Sequence, residues 1–233
     1  MDSLDAKLES LSLSKFNTFV VDSKDSLEEC KIGLKDQKVL AWDCEGVCIS
    51  RSGKLTIIQL GTNSNCYLLD ILSPAKEEIL KFAKTILEDK DIVKIIHDPA
   101  ADSDGLFHSH GIRVENVHDT QAWHMVIKGP SQKPNLNATL TAFACGANDA
   151  RDSSVYARNP SFWATRPITK EMKEWASGDV QFLFDLYDEQ TKIATTAQKE
   201  KAVDMSNKRN SAMRDSITRD IQIHSTQTGN FIG

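Results

Sequence analysis

Three short apolar runs separated by hairpin-length loops constrain this chain more than any other feature. The runs are Val39-Leu40-Ala41-Trp42, Leu55-Thr56-Ile57-Ile58-Gln59-Leu60 and Cys66-Tyr67-Leu68-Leu69, with Arg51-Ser52-Gly53-Lys54 and Gly61-Thr62-Asn63-Ser64-Asn65 between them. Runs this short, closed by turn residues, read as strands, and loops this short join antiparallel neighbours. They predict a three-stranded meander whose first strand is central, because it is the most continuously apolar. Phe19-Val20-Val21 reads as an earlier strand, and Ser23 to about Leu34 as a helix with a serine N-cap and early acids.

From Pro74 the period changes. Ile79, Leu80, Phe82, Ala83, Ile86 and Leu87 recur at helical spacing, with Pro74 suited to a first helical turn. Ile92 to Ile96 reads as a buried strand, Pro99 to about His110 as a helix, and Val114–Val117 as a short strand. Helices follow at about Thr120–Ile127, at Leu136–Cys145 and, with a strong apolar face, from 169 to about 190. Strands in a run, then strands alternating with helices, predict an α/β fold: a mixed sheet flanked by helices.

The net charge of −5 argues against a purely electrostatic nucleic-acid binder. The charge is uneven, at −8 over the first 190 residues and +3 beyond them. An acidic body working on a polyanion needs cations. No apolar run has membrane-spanning length, so no membrane partner is expected, and the start lacks the basic and apolar regions of a signal peptide. Five cysteines without a secretion signal are expected to be reduced, in an intracellular (cytoplasmic or nuclear) protein.

The chemistry is concentrated in carboxylates. In Ala41-Trp42-Asp43-Cys44-Glu45-Gly46 two acids two residues apart, at the end of an apolar strand, point to the same side of the sheet. Holding two like charges together is costly unless a cation neutralises them, and a hard ion such as Mg²⁺ or Mn²⁺ takes carboxylate oxygens. A solvated strand end is the bland alternative for so short a motif. In His97-Asp98-Pro99-Ala100-Ala101-Asp102, Asp98 fits an N-cap and Asp102 lies a turn further on, able to face the strand ends, whereas Asp104 points elsewhere. In Trp175-Ala176-Ser177-Gly178-Asp179 the first and last residues share a helix face, and Asp179 stands in an apolar stretch.

Asp43, Glu45, Asp102 and Asp179, in this order and these contexts, resemble the DEDD superfamily of 3′–5′ exonucleases, in its ribonuclease D-like and Egalitarian-type branch. Ile57-Ile58-Gln59-Leu60, Ile95-Ile96-His97-Asp98, His118-Asp119-Thr120-Gln121 and Trp163-Ala164-Thr165-Arg166-Pro167-Ile168-Thr169 fit that branch as well. The resemblance covers residues 18–190 and implies a ribonuclease H-like fold. It also implies two-metal hydrolysis of a terminal phosphodiester, with two Mg²⁺ or Mn²⁺ ions on the four carboxylates and single-stranded nucleic acid, RNA before DNA, as partner. One departure stands out. The branch carries a tyrosine four residues before the last aspartate, whose hydroxyl helps to orient the attacking water; here that position is Trp175, and the position before it, a histidine in a sister branch, is Glu174. Indole has an N–H donor and no acceptor. A weak or inert module binding nucleic acid or a protein is therefore the alternative reading.

Other candidates carry two readings each. Arg166 either reaches a phosphate or pairs with the helix it precedes, and His97 is expected at the substrate. Asp119 either joins the site or caps the helix at Thr120. Cys44 and Cys48 have zinc-like spacing but no second ligand pair, and read as ordinary thiols. Residues 1–17 read as a flexible lead-in and 191–220 as an exposed helical linker. Residues 221–233 resemble the opening strand of a KH domain, which would place an RNA-binding module next in a longer protein.

Overall fold

A computed structural model describes residues 16–148, 152 and 154–216. The lead-in up to residue 15 and the KH-like end at 221–233 lie outside the described residues.

The strands form one sheet because each apolar run has a partner on both sides or an edge to occupy. β1 (Asn17–Val21), β2 (Val39–Val47), β3 (Lys54–Gly61), β4 (Asn65–Asp70), β5 (Val93–Ile96) and β6 (Val117–Asp119) lie in the order β1-β4-β3-β2-β5-β6. The meander is as expected: β2 pairs antiparallel with β3, and β3 with β4. β5 joins β2 in parallel, β6 joins β5 in parallel, and β1 runs parallel to β4. β2 is therefore an interior strand of the whole sheet. Within the meander itself the central strand is β3, which corrects the expectation for the first run. The β2–β3 register shifts between Glu45 and Gly46. A Cβ on Gly46 would sit 2.3 Å from the Lys54 carbonyl oxygen, so only glycine allows this close approach.

Strand parity divides the core. Leu40, Trp42 and Cys44 face one layer with Leu27, Ile79 and Leu87, from α1 (Lys24–Leu34) and α2 (Lys76–Leu87). Ala41, Ile57, Leu68 and Ile95 face the other, with Met172, Trp175, Ala176 and Val180 of α7 (Lys170–Gln181) and Leu183, Phe184 and Leu186 of α8 (Leu183–Ile193). Asp43 and Glu45 share the parity of Ala41, so they look towards α7. The single helix expected from 169 to about 190 is two. It breaks at Phe182 (φ −92°, ψ 0°), where neither proline nor glycine marks the sequence.

α3 (Ala100–His110) lies between β5 and β6, and β6 is followed by α4 (Thr120–Lys128), α5 (Leu136–Ala142), α6 (Ser154–Arg158) and a 3₁₀ turn at Phe162–Ala164. Pro74 precedes α2 rather than opening it, and β6 begins where the Val114–Val117 strand was expected to end. Asp119 does cap α4, accepting from the Gln121 N–H at 2.9 Å. Asp98 does not cap α3: Pro99 holds that position, and Asp98 adopts φ 62° with its carboxylate turned to Arg209.

The largest departure is α9 (Thr196–Ala212), expected as a solvated helix leading away. It packs on α3, α4 and β6, burying Ala202, Ser206 and Asn210. Ser206 Oγ accepts the Asp119 N–H at 3.2 Å, and Asn210 Nδ2 donates to the Val114 carbonyl at 2.9 Å. Arg209 reaches Asp98, Asp119 and Gln121. Polar side chains pairing across the fold, which periodicity does not register, hold this helix down.

Lys94 on β5 is fully buried, with Nζ donating to the Asp89 carbonyl. Burial drives its pKa down to about 8, against the opposing pull of Asp89 and Glu115. An unfolded lysine titrates near 10.5, so between these values the unfolded chain binds more protons and stability rises with pH. Lys94→Met is expected to raise the unfolding free energy at pH 7 by about 1–3 kcal/mol, as replacement of a buried charge by an apolar side chain commonly does. Urea melts should show that gain shrinking as the pH approaches 10.5. A gain independent of pH would exclude the buried charge as its cause.

Candidate active site

The acidic cluster follows from strand parity and one helix face. Asp43 and Glu45 stand two apart on β2, Asp179 lies on the buried face of α7, and one carboxylate oxygen from each lies within 4.8 Å of the others. α7 is started by a capping box in which Thr169 Oγ1 accepts the Met172 N–H at 3.2 Å. That cap sets the rotation that turns Trp175, Ala176, Asp179 and Val180 inward.

Asp102 is buried on α3 but stands outside this trio. Its charge still reaches the same strand: the Cys44 thiol is raised well above its ordinary pKa by burial first, then by Asp102, Asp43 and Glu45. Cys66 is raised likewise, by burial and then by Asp43 and Asp179. Asp43 adds to the rise at both thiols, after burial. Asp104, the neighbouring acid, is fully buried and held by Arg51 through its backbone N–H at 2.6 Å and its guanidinium at 2.9 and 3.1 Å.

The other expected site residues have the following partners. Trp175 is buried, its ring 5.1 Å from that of Phe162 in the apolar layer under the sheet. Glu174 is exposed and pairs with Lys170 at 3.5 Å. Arg166 grips Asp70 with two bonds of 2.7 Å and donates to the carbonyls of Thr56, Trp163 and Thr165. His97 donates from Nε2 to the Pro134 carbonyl at 3.1 Å, and its Nδ1 meets the Thr120 hydroxyl at 2.9 Å. Burial lowers the His97 pKa, with Asp119 opposing it most strongly. Arg166 and His97 thus both spend their polar groups inside the protein.

Two residues beside the trio are not among the site residues expected from the sequence, although Gln59 belongs to a stretch that fits the family. Gln59 is opposite Asp43 in the β2–β3 register, hence on the same face, and is fully buried with neither amide atom hydrogen-bonded among the described residues. Its signal was available: a glutamine at inward parity within an apolar run. Asn148 donates from Nδ2 to Asp179 Oδ1 at 2.9 Å. It sits in a polar stretch that gave no signal.

The donor set fits a hard divalent cation. Three carboxylates of like charge within reach of one ion, all oxygen donors, suit Mg²⁺ or Mn²⁺ rather than a softer metal. The orphaned Gln59 amide adds a buried polar group that water or an ion's hydration shell would satisfy. Among the described residues no other group of three such ligands occurs, and the cysteines are free thiols. No helix among them is long and apolar enough to cross a membrane.

Known proteins are similar to this chain in sequence or in fold. The mouse (Mus musculus) piRNA biogenesis protein EXD1 is 31% identical over 165 residues, 66% of this chain and 29% of that protein. The Saccharomyces cerevisiae exosome complex exonuclease RRP6 is 29% identical over 170 residues, 72% of this chain and 22% of that protein. The chain thus spans less than a third of the length of either relative. In structure it is similar to Trypanosoma brucei RNase D in complex with RNA U12, with a TM-score of 0.69 at 22% identity over 85% of this chain and 73% of that one. At that identity the likeness is one of fold. A family model described as 3′–5′ exonuclease matches residues 18–194, nearly all of the sheet and its covering helices. Taken with the carboxylates gathered on β2 and α7, that match settles the family: the chain belongs to the DEDD 3′–5′ exonucleases, of the RNase D-like kind.

Proposed function

We propose that this chain is a metal-dependent 3′–5′ exonuclease that shortens single-stranded nucleic acid, RNA in preference to DNA. The observation that carries the reading is the convergence of Asp43, Glu45 and Asp179 within 4.8 Å of one another. These three would hold two Mg²⁺ or Mn²⁺ ions, with Asp102 completing the set from α3. Such ions acidify a bound water and stabilise the leaving oxygen of a phosphodiester. The chain's own part is positional. Asp43 and Glu45 are fixed by an interior strand, and Asp179 by a capped helix packed on the sheet. The choice of RNA is supported by relatives named for RNA work and by the RNase D neighbour bound to RNA.

A second reading, a binding module of weak or no activity, is favoured by Trp175. Its indole, packed beside Phe162, offers no acceptor for a proton from water.

One assay separates the readings. With 5′-labelled linear RNA or DNA and Mn²⁺ or Mg²⁺, products are expected to shorten stepwise from the 3′ end, and EDTA is expected to stop the reaction. Asp43→Asn with Glu45→Gln should lose activity by about 10³-fold or more, since two ligands go at once. A circular substrate should remain intact, and cutting it would point to endonuclease chemistry. Mn²⁺ binding without any cleavage would favour the binding module.

A further inference from the structure

Beyond the family's carboxylates, one neutral residue reaches into the cluster. Asn148, following α5, is 9% exposed, and its Nδ2 donates to Asp179 Oδ1 at 2.9 Å. Its own backbone is fixed by a single side chain. Asn137 Nδ2 donates to the Asn148 carbonyl at 2.9 Å, and Asn137 Oδ1 accepts the Asn148 N–H at 2.8 Å. Asn137 stands in the first turn of α5, so the cradle is anchored in a helix. The space for the amide comes from Gly178, beside Asp179. A Cβ there would lie 2.8 Å from Asn148 Oδ1 and 3.3 Å from its Cγ.

We propose that Asn148 is a positioning residue for Asp179, selecting which carboxylate oxygen turns towards Asp43 and Glu45. Its residue type suits the task. An arginine or lysine there would orient the carboxylate equally well but would cancel the negative field that attracts a divalent ion. An aspartate would add a like charge and lacks the donor. A carboxamide donates a hydrogen bond and leaves the charge of the cluster unchanged. Partners of this kind around metal ligands typically change metal affinity by about 10–100-fold when removed.

The inference rests on the metal-binding reading above, and calorimetry with Mn²⁺ alone separates the two. Wild type, Asn148→Ala, Gly178→Ala and the double variant are compared, after melts in EDTA establish that each is folded. Asn148→Ala is expected to weaken Mn²⁺ binding by about 10-fold or more. Gly178→Ala, whose new Cβ displaces the amide, should weaken it in the same direction even if Asn148→Ala proves too unstable to measure. The double variant should be no worse than Asn148→Ala, because both changes break one hydrogen bond. Normal Mn²⁺ affinity in Asn148→Ala, or losses that simply add, would overturn the role of Asn148 while leaving the metal site in place. Absence of Mn²⁺ binding in the wild type would overturn both.

Discussion

Arg209→Met is expected to cost about 3–5 kcal/mol of folding stability, the penalty for leaving a buried charge without its partner. Arg209 is 14% exposed in its side chain and faces Asp119, which is not exposed at all, together with Asp98 and the Gln121 amide. Asp119 Oδ1 is already occupied by the N–H groups of Asp98 and Gln121, so Arg209 supplies the cation for Oδ2. The guanidinium thereby ties α9 to the end of β6, the start of α4 and the residue before Pro99. Arg209→Lys should recover only part of the loss, because one ammonium cannot reproduce a planar fork across two carboxylates and an amide. Urea melts of Arg209→Met, Asp119→Asn and the double variant measure the coupling. The double variant should lose less than the sum of the singles. Additive losses would mean that α9 is held by its apolar and Ser206/Asn210 contacts, with Arg209 incidental.

Trp175→Tyr should raise turnover by about 10²-fold if a missing proton acceptor is what limits the reaction, the lower end of what a positioned acid–base group contributes. Position 175 shares a helix face with Asp179, four residues on, so a tyrosine there stays on the side of the carboxylates. The ring packs against Phe162, and a smaller aromatic ring keeps most of that contact. Trp175→Phe is the control, with a ring but no hydroxyl. The comparison uses single-turnover rates at saturating Mn²⁺. A gain for tyrosine alone supports a degraded but genuine exonuclease site. Equal rates in all three proteins would place the water-positioning group elsewhere. Glu174 does not fill that gap, being exposed and paired with Lys170.

Much of the sheet was legible because strand signals are local. The runs at 39–42, 55–60 and 66–69 carry their apolar residues and turn residues within a few positions, and their pairing follows from loop length. The parity of Asp43 and Glu45 is equally local, since alternate residues on a strand must share a face. The partners of polar side chains were not legible. Arg166 could be read as a phosphate ligand or a helix partner; it grips Asp70, 96 residues away. His97 was expected at the substrate, and its ring is held by Thr120 and the Pro134 carbonyl. The Phe182 break between α7 and α8 carries no proline or glycine to announce it.

By itself the sequence determined the fold class, the meander, and the face on which the strand acids sit, because backbone geometry and hydrophobic period act over neighbouring residues. Only the tertiary structure decided that Asp179 meets Asp43 and Glu45 while Asp102 stands outside their trio. It also decided that Gln59 and Asn148 border the site, and that α9 is part of the body. Those outcomes depend on which helix face meets the sheet and on hydrogen bonds spanning tens of residues. A charged helix such as Thr196–Ala212 reads as solvated until its arginine finds a buried carboxylate. The free energy of that pairing belongs to both partners, and neither segment's sequence contains the other.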